Sequence, residues 1–245
     1  MLQTPQVIIP AAGFGHRFRA AGYKEDKPLI KVGGKTLIEW SLSCLPAEWH
    51  GAVTAILRDD QQDLDFALRA EKLRPTRVVH LLSPSQGAAC SVLAAAVGLP
   101  LDDPVLVMNT DQWFKCDLRE AHAWAMKEHL DGFVLTFAGT GPAWSYAVTN
   151  GADRITHVIE KKEVSPHATV GVYWWRKASD LVHSICSMIA AGTKTKGEFY
   201  LAPSLNFMPL DTKDVRIVPV EEFHGLGTPE HLKEFRAKIA TGWTP

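Results

Sequence analysis

From residue 7 to residue 109, short β-branched runs alternate with helical patterns, and this alternation leaves the chain few architectures to choose from. Residues 7–9, 52–57, 78–82 and 105–109 read as strands. Residues 36–45, 61–73 and 87–97 read as helices, the first with Leu37, Ile38, Trp40 and Leu42 on its apolar side. Alternation with short links predicts an α/β fold: a mostly parallel twisted sheet with helices on both faces. In such sheets ligands bind beyond the carboxyl ends of the strands. The glycine loop after residue 10, Gln86-Gly87 and Asp111 all follow strand ends, so one crevice would receive all three.

The second half differs. Strands are expected close together at 133–137, 146–149, 155–159 and 169–175, with Asn150-Gly151 as a turn between two of them. A helix at 177–191, a Gly/Thr/Lys loop, a strand at 215–220 and a closing helix at 229–239 follow. Thr228 suits the cap of that last helix and Pro229 its first position. The 245 residues are expected to form one domain, about 1–130 and about 131–245 sharing the sheet across a soft boundary.

A formal net charge of −1, from 26 basic and 27 acidic residues, argues against a general nucleic-acid binder. Cys44, Cys90, Cys116 and Cys186 form no C-x-x-C pair, which leaves no zinc or redox motif and makes reduced core thiols the expectation. The apolar stretch 88–101 is too short to span a bilayer, and no basic-then-apolar leader precedes the first strand. A cytoplasmic protein with no membrane partner is expected, and a homo-oligomer is left open.

The loop after the first strand carries the chemistry. Ala11-Ala12-Gly13-Phe14-Gly15-His16-Arg17 combines small residues with an arginine, and Lys27 follows ten residues later. Small residues let backbone N–H groups close on phosphate oxygens, and the two cations add mobile charge. A tight turn with no ligand is the plain alternative. Two familiar patterns fail. The dinucleotide fingerprint G-x-G-x-x-G meets Phe18 at its third glycine, and a P-loop ending at Gly34-Lys35-Thr36 meets Leu29 at its first.

Further motifs follow in order: Lys27-Pro28, Gln86-Gly87, Asn109-Thr110-Asp111, Glu160-Lys161 and Gly227-Thr228-Pro229-Glu230. With the loop, this series resembles the sugar-phosphate nucleotidyltransferases, or NDP-sugar pyrophosphorylases, from Val7 to about Phe235. Arg17-Phe18-Arg19-Ala20-Ala21-Gly22-Tyr23 resembles the openings of the capsule-biosynthesis type. The resemblance implies a Rossmann-like nucleotide-diphospho-sugar transferase fold with a small mixed-β acceptor-binding lobe. It implies transfer of a nucleoside monophosphate from a nucleoside triphosphate to a small phosphorylated acceptor, with release of pyrophosphate. The Ala-Ala-Gly opening inclines the base toward cytidine, then uridine.

By the same resemblance Ala11, Ala12, Gly13, Gly15, Gln86, Gly87 and Asn109 would bind the nucleotide. Arg17 and Lys27 would hold the triphosphate, and Asp111 would bind Mg²⁺; these three would be catalytic. Tyr146, Glu160, Lys161, Thr169, Gly171 and Glu198 would form the acceptor side. Relatives often carry a second metal-binding aspartate where this chain has Gly225, so either Glu198, and less plausibly His224, is the other ligand, or Asp111 is the one strong ligand. Lys162 replaces a family proline. Glu160 to Glu163 could instead be a solvated charge run, and Trp144, Trp174 and Trp175 fit core or pocket wall better than a base platform.

The residue types suit the reaction. A phosphate monoester has a second pKa of about 6, so the nucleophile is already an anion and needs no protein base. The barrier lies in bringing two anions together, which calls for cations and oriented donors. A glycosyltransferase of related fold would want an Asp-x-Asp pair, and residues 109–111 supply one carboxylate. A non-catalytic nucleotide-binding subunit is the third reading.

Overall fold

Strand β1 (Gln6–Pro10) shows why the sheet is covered on both sides. Successive side chains of a strand point to opposite faces. Ile8 enters one buried cluster with Val92 and Leu181, while Val7 and Ile9 enter another with Ile38, Leu64 and Leu118. The computed structural model describes residues 2–70 and 75–244. After β1 come α1 (His16–Ala20), β2 (Lys31–Val32), β3 (Lys35–Thr36), α2 (Leu37–Leu42), β4 (Val53–Arg58), α3 (Gln62–Ala70), β5 (Arg77–Leu81), α4 (Ala88–Ala96) and β6 (Val105–Met108). The chain continues through β7 (Gln112–Lys115), α5 (Leu118–Lys127), β8 (Gly132–Ala138), β9 (Ser145–Thr149), β10 (Ile155–Glu160) and β11 (His167–Trp175). It ends with α6 (Ala178–Ala190), β12 (Val215–Pro219), β13 (Glu222–Gly225) and α7 (Pro229–Ala240).

The main sheet runs β10-β9-β11-β6-β1-β4-β5, with β8 and then β12 on the other side of β11. Strands β6, β1, β4 and β5 are parallel, as the alternation predicts. Strand β11 enters antiparallel and serves two neighbours on one edge: Val172 to Trp175 pair with β6, and Ala168 pairs with Tyr146 of β9. Between them lies Gly171, with φ 93°. A β-carbon there would come within 2.5 Å of Asn109 Nδ2 and 2.6 Å of Gln112 Oε1. Glycine lets β11 bend away from β6, and the sheet forks beyond the end of β6.

The structure adds and trims elements. Helix α2 stops at Leu42 instead of 45, because the Cys44 and Leu45 N–H groups bond three residues back, to the Ser41 and Leu42 carbonyls. Helix α3 begins one residue later than the 61–73 expectation and runs to residue 70; positions 71–73 lie outside the described residues. Helix α5, capped by Asp117, and the β7–β13 pair were not legible. The cysteines are free, but they are not core thiols: Cys44, Cys90 and Cys116 are half-buried and Cys186 is exposed. Trp174 and Trp175 are fully buried. Among the described residues no helix is long and apolar enough to cross a membrane.

Candidate active site

The carboxyl ends of the parallel strands open on a cleft of two chambers. The first holds about 370 Å³ and is lined by Ala12, Gly13, Gly15, Arg17, Lys27, Gly87 and Glu198 among the residues singled out from sequence. The second holds about 230 Å³ and is lined by Asn109, Asp111, Glu160, Lys161, Thr169 and Gly171, again with Arg17 and Lys27. Arg17, Lys27, Ala88, Tyr200 and Gly227 belong to both walls, so the chambers meet there.

Some expected residues sit elsewhere. Ala11 is buried beneath the loop, its N–H on Ile56 and its carbonyl on Gln61. The Gln86 side chain accepts from Lys194 Nζ at 2.7 Å and lines neither chamber. Tyr146 is fully buried, its hydroxyl donating to the Gly141 carbonyl at 2.6 Å. Asn109 faces the second chamber instead of the first, because its N–H donates to the Gly171 carbonyl across the fork. Glu198 lines the first chamber and not the second, where most of the expected acceptor residues lie. The turn at 195–198 folds over Gly87, where Phe199 N–H meets the Gln86 carbonyl at 2.9 Å and Ala89 N–H meets the Phe199 carbonyl at 3.1 Å. A β-carbon on Gly87 would lie 2.5 Å from that Phe199 oxygen. His224 is also outside both chambers, its Nε2 taken by Glu222 and Lys238.

The junction is built around an ion pair. Lys27 opens a short 3₁₀ turn fixed by Pro28, and Asp111 follows the end of β6. Lys27 Nζ contacts Asp111 Oδ2, with the two side chains about a quarter exposed. Burial disfavours the Asp111 anion, but the Lys27 charge and hydrogen bond outweigh it, helped by Lys161, and hold the carboxyl below the usual aspartate range. Two glycines make room. A β-carbon on Gly15 would press on Lys27 Cβ at 2.9 Å, and one on Gly227 would press on Asp111 Oδ2 at 2.6 Å. Gly15 also adopts φ 63°, a left-handed conformation that suits glycine. Arg17 is exposed, and its guanidinium has no hydrogen bond or ion pair among the described residues.

The second chamber has a polar floor and an aromatic side. Glu160 is buried, held by Ser145 Oγ and by Lys161 Nζ at 3.1 Å, so it is no solvated charge run; Lys162 and Glu163 are exposed. Lys161, directly before Lys162, adopts a left-handed conformation (φ 61°), with its N–H on the Trp144 carbonyl and Nζ on the Ala143 carbonyl. Thr169 and Tyr173 hydroxyls meet at 3.1 Å. Trp144 stacks on His231 with ring centres 5.1 Å apart, and both line this chamber. Tyr200 and Gly227 were missed from sequence. Gly227 lies in a motif that reads fully as a helix start, and nothing local marks Tyr200.

Among the described residues no group of three or more His, Cys, Asp or Glu side chains could hold a metal alone. A β-carbon on Gly225 would come within 2.6 Å of the Trp144 ring, so a carboxylate at that position would collide with the indole. Asp111 still offers a hard, partly exposed oxygen donor. Magnesium often takes one or two carboxylates and completes its shell with substrate phosphates and water, so a single-aspartate site fits it.

Comparison with known proteins agrees with this architecture. A nucleoside-diphosphate-sugar pyrophosphorylase from Vibrio cholerae superposes with a TM-score of 0.80 at 23% identity, over 94% of this chain and 99% of that one. UDP-glucose pyrophosphorylase solved with UDP-glucose gives 0.78 at 14% identity, over 98% and 100%. The inositol-1-phosphate CTP transferase of T. maritima gives 0.71 at 13%, over 100% of both chains. These likenesses establish a shared fold. No curated protein sequence matches the chain. The model of the MobA-like NTP transferase domain matches residues 7–191, three quarters of the length, and the chain belongs to that family of nucleotidyltransferases.

Proposed function

We propose that this nucleotidyltransferase joins the nucleoside monophosphate of a nucleoside triphosphate to a sugar phosphate or another small phosphorylated metabolite, and releases pyrophosphate. The observation that carries the reading is that Arg17 and Lys27 line both chambers. The glycine-loop chamber takes the triphosphate and the smaller chamber takes the acceptor. On this reading residues 1–130 are the nucleotide part and 131–245 the acceptor part of one domain. The acceptor phosphate, already anionic near neutral pH, attacks the α-phosphorus while pyrophosphate leaves on the far side. Arg17 and Lys27 offset the charge gathered where the two anions meet, and the loop N–H groups orient the triphosphate. Asp111 and phosphate oxygens would hold Mg²⁺, which would neutralise phosphate charge. Glu160, Lys161, Thr169 and Gly171 position the acceptor.

The Ala11-Ala12-Gly13 opening favours CTP over UTP, and the capsule-type opening favours a cytoplasmic role in envelope-precursor synthesis. A matrix of the four nucleoside triphosphates against a panel of sugar phosphates and polyol phosphates, scored by pyrophosphate, tests this. One productive pair, led by CTP, supports it; pyrophosphate from no pair rejects it.

A further inference from the structure

The carbonyls of the glycine loop are occupied in sequence. Ala11 accepts from Gln61 Nε2 at 3.2 Å. Ala12 and Gly13 both accept from Arg58 Nη1, at 3.2 and 2.8 Å. Phe14 accepts from Arg19 Nε at 3.1 Å. Arg58 is 5% exposed, and its backbone N–H donates to Gln61 Oε1 at 2.8 Å, so the buried Gln61 side chain ties the Arg58 backbone to the Ala11 carbonyl. The guanidinium also binds Asp60 through Nε at 2.8 Å and Asp26 through Nη2 at 3.0 Å, and it stacks on the Phe14 ring at 4.7 Å. Asp26 receives Arg19 at 3.6 Å as well, and it directly precedes Lys27.

In a planar trans peptide the carbonyl and the next residue's N–H point in opposite directions. Two consecutive carbonyls converging on one Arg58 nitrogen therefore turn the Gly13 and Phe14 N–H groups away from it. Neither N–H has an acceptor among the described residues, and both residues line the first chamber. Phe14 is half-buried and Gly13 exposed to the cleft, and two adjacent N–H groups left open along a cleft wall match an anion.

We propose that Arg58, its backbone anchored to the loop by Gln61, is a positioning residue that holds the glycine loop with its N–H groups turned to the triphosphate and ties that loop to the segment carrying Lys27. The inference rests on the reading of the first chamber as the triphosphate site. Lysine cannot replace the arginine, because one ammonium does not reproduce the planar fork that spans two carbonyls and two aspartates. The Gly13 and Phe14 N–H groups that Arg58 aims line the first chamber and not the second, so its loss should weaken triphosphate binding far more than acceptor binding.

The test is calorimetric titration of wild type, Arg58→Lys and Gln61→Leu with each of the four nucleoside triphosphates, without acceptor. Steady-state KM for the acceptor and thermal unfolding accompany it. Misaligned charge-assisted hydrogen bonds predict that triphosphate affinity falls about ten- to a hundredfold in both variants, with acceptor KM within about twofold. If Arg58→Lys does not fold, Gln61→Leu carries the same criterion. Unchanged triphosphate affinity in a folded variant overturns the proposal. So does a parallel loss of acceptor KM, triphosphate affinity and Tm, which would mark mere structural support. A wild type that binds none of the four triphosphates removes the nucleotidyltransferase reading itself. A wild type that binds one, beside variants that bind it equally well, removes only the role of Arg58.

Discussion

Lys27 and Asp111 show how much depends on single side chains in this cleft. Their ion pair sits where the chambers meet, and glycines at 15 and 227 leave the space it needs. Lys27→Ala and Asp111→Asn are each expected to fold normally, by circular dichroism, and to lose at least about a hundredfold in kcat, the usual scale for such charged donors. Acid titration gives a second check. Because Asp111 ionises below the ordinary value of 3.8, its pairing stabilises the folded chain fully above that value, and the contribution is lost as pH falls through the lower folded value. The stability difference between wild type and Asp111→Asn, read from urea unfolding, should narrow on acidification; a constant difference would show that the pair is not charged as described. Lys27 and Asp111 were legible because one follows the small-residue loop with Arg17, the other follows a strand end, and the series of motifs resembles a known family. Arg58 was not, since its partners are backbone carbonyls 45 and 46 residues away and no local pattern announces them.

At the level of elements, the fork of β11 shapes the second chamber. Gly171→Ala would strain a left-handed backbone and push on Asn109 and Gln112, at an expected cost of about 1–3 kcal/mol. Because only the acceptor wall moves, acceptor KM should rise more than triphosphate KM in steady-state assays. A contrasting change is Thr36→Ala. It removes the capping box with Glu39 at the start of α2, should lower stability by about 1 kcal/mol in urea unfolding, and should leave kcat unchanged, since α2 lines neither chamber. Strands β1, β4 and β6 were readable because each holds a continuous buried run, as 53–58 illustrates. The β7–β13 pair was not, because Gln112 meets Gly225 across more than a hundred residues and each strand has only 4. Helix α5 hid for another reason: its buried side includes His122, which composition alone assigns to the surface.

Over the whole molecule, one sheet supplies both chambers. The parallel block carries the glycine loop and Asp111, and the antiparallel half carries Glu160, Thr169 and Gly171. A chelator should abolish turnover and Mg²⁺ should restore it, as expected of one aspartate that relies on phosphate oxygens to complete a metal shell. Turnover that persists in chelator would contradict the role given to Asp111. The decisive assay uses a nucleoside triphosphate labelled at the α-phosphorus, with Mg²⁺ and the productive acceptor. All consumed label should appear on the acceptor, with one unlabelled pyrophosphate per transfer. Label recovered as free nucleoside monophosphate, or an acceptor that gains a γ-phosphate instead, would show that the two chambers do not bring the α-phosphorus and the acceptor phosphate together.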